Sequence, residues 1–114
     1  MDVVVTCPRN LWEVWIEEGD LPGEAWSGRV YDFYLRGSPA APAIRPGERV
    51  YVVAHGKLRG YSPLVRIDPV HRSLVRHGQA VAVTIDEPIR GFRGFRYVWW
   101  DRGAERPFPD WRKP

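Results

Sequence analysis

Four β-branched residues in succession, Val3 to Thr6, followed by Pro8, predict a short buried strand near the start of the chain. The period then changes. Leu11, Trp12, Trp15 and Ile16 fall on one face of a helical repeat with Glu13 and Glu17 opposite; Asn10 offers an N-cap with Glu13 three residues on, and Gly19 offers a stop, so an N-terminal helix is predicted. Asp20 to Arg29, with Pro22, Gly23, Trp26 and Gly28, reads as a loop. Val30 to Arg36 alternates as a strand, with Tyr31, Phe33 and Leu35 on one face and Asp32, Tyr34 and Arg36 on the other. Gly37 to Arg45, rich in Pro and Ala, forms a second loop.

Pro46-Gly47 has the φ preferences of a type II turn and opens a strand over Arg49 to His55, whose Val50, Val52 and Ala54 should face the core. His55-Gly56-Lys57 predicts a reversal into Leu58 to Ile67, which Gly60 and Pro63 should bend or bulge. Asp68-Pro69 can open a second short helix that Gly78 closes. Ala80 to Ile85 alternates again. Ile89 to Trp100 places Phe95, Tyr97 and Trp99 on one side and Arg96, Val98 and Trp100 on the other. Residues 101–114 hold three prolines and no period, and are expected to dock as a tail through Phe108 and Trp111. Five or six short strands with one clear helix predict a mainly β (α+β) single domain over 1–114, with a pseudobarrel as its expected form.

With 114 residues, 44% hydrophobic and 27% charged, one core is expected without staples. Cys7 is the single cysteine, which excludes an internal disulfide and a Cys-rich zinc site and fits a reducing compartment. The first residues lack a basic segment before a signal-type apolar run, and no later stretch is long enough to span a bilayer, so a cytoplasmic protein without a membrane partner is expected. Lys57 and Lys113 are the only lysines; Arg dominance and 11 prolines hint at a GC-rich or thermophilic source. Net charge is only +3, but it is unevenly placed: residues 1–44 hold three basic and seven acidic residues (−4), and residues 45–114 hold fourteen and seven (+7). The C-terminal part is the expected face for a polyanion, unless its arginines are solvated or paired with acids.

The order strand, helix, strand, then Ile44-Arg45-Pro46-Gly47-Glu48-Arg49-Val50-Tyr51-Val52 resembles the PUA-like superfamily, particularly its ASCH and EVE branches, from Val3 to about Trp100. The resemblance implies a PUA-like pseudobarrel and an RNA-binding or modified-base-reading module, some ASCH relatives being small hydrolases. The ASCH pattern Gly-x-Lys-x-x-Glu-x-Arg is replaced here by Gly28 to Arg36, with Arg29, Asp32 and Arg36 the nearest counterparts at altered spacing, so no catalytic triad carries over.

The strongest local feature is Arg90-Gly-Phe-Arg93-Gly-Phe-Arg96-Tyr97-Val98-Trp99-Trp100, which interleaves guanidinium groups with rings. Arginines neutralise phosphates and rings stack on bases, each base contributing about 1–3 kcal/mol; equally, Phe92, Phe95, Tyr97 and Trp99 can fill the core with the arginines on its rim. Trp26, in its Gly-flanked loop with Arg29 and Arg36 following, is a second stacking candidate. His55, Lys57 and Arg59 cluster at the predicted reversal, as phosphate ligands or as exposed turn residues. The candidate nucleic-acid-binding residues are thus Trp26, Arg29, Arg36, Lys57, Arg59, Arg90, Arg93, Arg96, Trp99 and Trp100. His71 and His77 lack metal-ligand spacing, and no metal or cofactor is expected. No nucleophile elbow, phosphate loop or dinucleotide fingerprint is present. The expected function is binding of RNA or of single-stranded or modified nucleic acid, rather than duplex DNA, by a monomer or weak homodimer. The alternatives are a small amidohydrolase or nuclease acting on a nucleoside or RNA, with Lys57 beside Asp32 or Glu48, and a protein-interaction adaptor.

Overall fold

The β-branched and alternating segments form strands in the computed structural model, which describes residues 1–8, 11–12, 30–35, 41–77 and 80–113. They are β1 (Val3–Thr6), β2 (Val30–Tyr34), β3 (Arg49–Ala54), β4 (Lys57–Asp68), β5 (Ser73–His77), β6 (Val83–Thr84), β7 (Phe95–Tyr97) and β8 (Arg106–Pro107). Six of them make one sheet in the order β2-β5-β4-β3-β1-β7, and β6 pairs with β8. β1 runs parallel to β3, with Val3 opposite Val50, and the other pairs are antiparallel. The protein is mainly β. The expected pseudobarrel is not seen as a closed barrel: β2 and β7 stand at opposite edges, and no ladder joins them among the described residues.

The central pair is buried on both faces, as the valine-rich sequence of a parallel pair requires. Val3, Val5, Val50, Val52 and Ala54 face one cluster with Trp12, Phe33, Leu64, Leu74 and Trp111. Val4, Tyr51 and Val53 face a second with Leu58, Ile85 and Ile89, against which Phe92, Val98 and Trp100 pack. The stretch from Ile85 to Trp100 therefore serves as a cover for one face. The strands predicted over Ala80–Ile85 and Ile89–Trp100 are short: among the described residues, pairing there is confined to Val83–Thr84, Phe95–Tyr97 and a bridge from Val81 to Tyr61.

The second helix is also corrected. Asp68 Oδ1 accepts the N–H groups of Val70 (3.0 Å) and His71 (3.1 Å), a capping geometry, but the chain turns back at Arg72 (φ 51°) into β5, which pairs with both β2 and β4. Leu11 and Trp12 begin a helical turn on the Pro8 carbonyl. The rest of the predicted N-terminal helix, the loop holding Trp26 and Arg29, and Arg36 lie outside the described residues. No helix among the described residues is long and apolar enough to cross a membrane.

β4 carries two register shifts that bend it. At the first, Val52 pairs with Gly60 and Val53 with Leu58, so Arg59 is the extra residue of a bulge. Gly60 lies at φ 155° against the Val81 backbone, where Tyr61 and Val81 exchange N–H···O bonds of 3.0 and 2.8 Å.

The N-terminal strand is fastened at its base by charge. Asp2 accepts the Arg49 backbone N–H (2.9 Å) and Arg102 Nη2 (2.8 Å). Burial pushes its carboxyl up, but those hydrogen bonds and the two cations outweigh burial and hold it below its ordinary value. A depressed folded-state pKa stabilises above the unfolded value of about 4 and ceases to do so as pH falls through the folded value. Arg102 is well solvated, so the effect is modest. Wild type should lose about 0.5 kcal/mol more stability than Asp2→Asn between about pH 6 and pH 3, read from urea midpoints. Equal losses would remove Asp2 from the acid response.

Candidate nucleic-acid interface

Loop 86–94 is fixed by hydrogen bonds from two of its backbone N–H groups at the end of the sheet. Ile89 N–H donates to Gly56 O (2.9 Å) on the β3–β4 hairpin, and Phe92 N–H donates to Thr6 Oγ1 (3.1 Å) at the end of β1. Gly91 lets the loop approach this closely, since a Cβ there would stand 3.2 Å from Thr6 Cγ2. These anchors leave Arg90 and Arg93 exposed, Arg90 directly after buried Ile89, and set Arg90 next to the hairpin turn that carries Lys57. Arg96 follows on β7, exposed, its guanidinium 4.6 Å from the centre of the Phe92 ring.

Two acids at the start of the same loop are engaged elsewhere. Asp86 pairs with Arg106 (2.7 Å), and Glu87 accepts the Trp99 indole N–H (2.9 Å). No ion pair to a carboxylate is formed by Lys57, Arg90, Arg93 or Arg96 among the described residues. Lys57 also borders a cleft of about 400 Å³ whose walls include Asp86, Glu87 and Asp110, and these acids offset part of its charge. The three arginines therefore carry most of the positive potential.

The aromatic residues divide between core and surface. Phe95 and Phe92 pack against opposite faces of the sheet, and the Tyr97 hydroxyl accepts the Ala43 N–H (2.9 Å). Trp99 is 46% exposed, held edge-on to Trp100 at 5.0 Å. Trp100 is partly buried and built into the fold. Its ring meets Tyr51 edge-on at 5.2 Å, and its indole N–H donates to Glu105 Oε2 (2.9 Å). Glu105, 7% exposed, also accepts Tyr51 Oη–H (2.5 Å) and Arg49 Nη1 (3.3 Å), while Arg49 stacks 4.0 Å from the Tyr61 ring centre. Burial, then the hydrogen bond to the Glu105 carboxylate, pushes the Tyr51 hydroxyl pKa up. Sequence spacing gave no sign of this network, because Arg49 and Glu105 are 56 residues apart.

Arg59 is corrected as well. It is 2% exposed rather than on the turn surface, because the bulge at Val52/Val53 turns it inward. Its Nε donates to Ala54 O (2.9 Å) and its Nη1 to the carbonyls of Trp111 (2.9 Å) and Lys113. It thus clamps the chain beyond Phe108, whose Trp111 packs edge-on against Trp12 at 5.6 Å. Arg76, at 1% exposure, is a second buried arginine that sequence reading missed; its Nη1 donates to Ser62 Oγ.

The residues named for hydrolysis are not gathered. Lys57 and Glu48 flank opposite ends of β3, about 20 Å of extended chain. Glu48 is bound instead to the N-terminal ammonium (2.7 Å) and the Arg45 N–H (2.8 Å). Of the ten candidate binding residues, Lys57, Arg90, Arg93, Arg96 and Trp99 are exposed, Trp100 is partly buried and Arg59 is buried; Trp26, Arg29 and Arg36 lie outside the described residues. Comparison with protein-family models, curated proteins and solved structures finds no match.

Proposed function

We propose that the chain is a PUA-like module that binds single-stranded nucleic acid, RNA before duplex DNA, along loop 86–94 and β7. The observation that carries this reading is the set of exposed cations Arg90, Arg93 and Arg96, which form no ion pair among the described residues, on the same stretch of chain as the half-exposed Trp99. Guanidinium groups spaced along an edge follow a phosphate backbone, and an exposed indole stacks on an unpaired base; a duplex keeps its bases stacked and gains only the first of these. The order of elements around the Pro46-Gly47 turn and the mixed β sheet support the PUA-like assignment. The protein acts as a cytoplasmic monomer or weak homodimer with no cofactor.

Tryptophan fluorescence titrated with single-stranded RNA, single-stranded DNA and duplex DNA tests this. Single strands should quench the emission more than duplex, and affinity should fall about 10-fold or more between about 50 and 200 mM salt, as expected when three or so phosphates are neutralised. Absence of quenching by any strand at low salt rejects the reading.

A further inference from the structure

Glu87 both touches the exposed ring of Trp99 and lines the open cleft that Lys57 borders. The Trp99 indole N–H donates to Glu87 Oε1 (2.9 Å), which ties the ring to the start of loop 86–94. Trp100 meets Trp99 with the two rings at 86°, a contact that covers at most one indole face, and Trp99 is nearly half exposed. The three acids that line the cleft differ in their partners. Asp86 is paired with Arg106 and Asp110 with Lys113 (3.2 Å), whereas Glu87 is held by the neutral indole donor and forms no ion pair among the described residues. Lys57 likewise has no carboxylate partner among them.

A carboxylate accepts hydrogen bonds and donates none, and its two oxygens suit two parallel N–H donors; the single bond from Trp99 leaves Glu87 that capacity. Among the four unpaired bases, guanine presents two adjacent donors, N1–H and N2–H, on its Watson–Crick edge. Adenine and cytosine set one amino group beside a ring-nitrogen acceptor, and uracil sets one N–H between two carbonyls, so each turns a lone pair toward the second carboxylate oxygen. We propose that this surface reads guanine: the base stacks on Trp99, its N1–H and N2–H donate to Glu87, and its phosphate lies against the Lys57 ammonium across the cleft. The assignment rests on the single-strand binding proposed above and names the base that it selects. The cleft, of about 400 Å³, has room for the sugar and phosphate, and Asp86 and Asp110 on its walls repel a phosphate anywhere but near Lys57.

Labelled RNA strands of about eight nucleotides, uridine throughout except at one central position, test this by fluorescence anisotropy at low salt. Wild type should bind the strand with a central guanine about 10-fold more tightly than those with adenine, cytosine or uracil, and inosine, which lacks the N2 amino group, should lose most of that margin. Glu87→Gln keeps an oxygen for the Trp99 N–H but offers the base an amide, which can pair with N1 and N6 of adenine or with O6 and N1 of guanine; these two strands should then bind within about 2-fold of each other. Equal binding of all four strands by wild type overturns the guanine reading and leaves strand binding in place, whereas no binding of any strand removes both. A guanine preference that survives intact in Glu87→Gln also overturns it. Should that variant fail to fold, the exchange of guanine for inosine with wild type decides alone, and unchanged affinity overturns the proposal.

Discussion

Gly60→Ala is expected to lower the unfolding free energy by about 3 kcal/mol. At φ 155° a side chain is strained whatever the space, at a cost of about 1–2 kcal/mol. The space is also absent. An added Cβ would fall on the Val81 carbonyl oxygen, 3.2 Å from the Val81 carbonyl carbon and 3.3 Å from Ala82 Cα, and backbone cannot swing aside as a flexible side chain does. Moving Val81 away breaks its paired hydrogen bonds with Tyr61 and disturbs the bulge that turns Arg59 inward. Gly56→Ala supplies the comparison: φ is also positive there, at 74°, but nothing lies within 4 Å, so a loss of about 1 kcal/mol is expected from conformation alone. Urea denaturation of both variants separates strain from collision. Equal losses would mean that the Val81 approach contributes nothing.

Arg93→Glu combined with Arg96→Glu is expected to weaken single-stranded RNA binding about 100-fold at low salt and to reduce the steepness of the salt dependence by about two phosphate contacts. Both side chains are exposed and neither forms an ion pair among the described residues; Arg96 touches only the Phe92 ring in the contacts described. Thermal stability should therefore change little. A reversal of equal charge at Arg66, exposed near the far end of β4, and Arg72, exposed in the turn after it, distinguishes a located surface from a general response to net charge. If that control loses as much affinity, the arginines of loop 86–94 and β7 have no special part. Unchanged binding in the first variant rejects them outright.

Short-range chemistry made part of the molecule legible. β-branched runs, the Pro46-Gly47 turn and the helical start after Pro8 are decided within a few residues, and β1, β3 and the Leu11–Trp12 turn stand where those patterns put them. Asp68-Pro69 shows the limit. The hydrogen bonds of Asp68 to the next N–H groups are the same in a helix cap and in a tight turn, and what selects the turn is the pairing of Ser73–His77 with strands on both sides. Arg59 failed for a related reason: alternation assigns it a face only if register is continuous, and the bulge at Val52/Val53 breaks that continuity. The cationic group at Arg90, Arg93 and Arg96 was visible as composition. Its freedom from acids was not, since that depends on Asp86 reaching Arg106 across 20 residues and on Glu87 finding Trp99.

The placing of β1 sets a problem of timing during synthesis. This strand is made before its partners, yet it lies inside the sheet, and its neighbours are Val50 to Val53 on one side and Phe95 to Tyr97 on the other. At about 5–20 residues per second, its last partner emerges roughly 5–20 s after Val3. For that interval three consecutive valines present an open strand edge to other chains. Fast expression at high concentration thus favours pairing between molecules, and slow elongation or a chaperone that holds the first ten residues favours pairing within one.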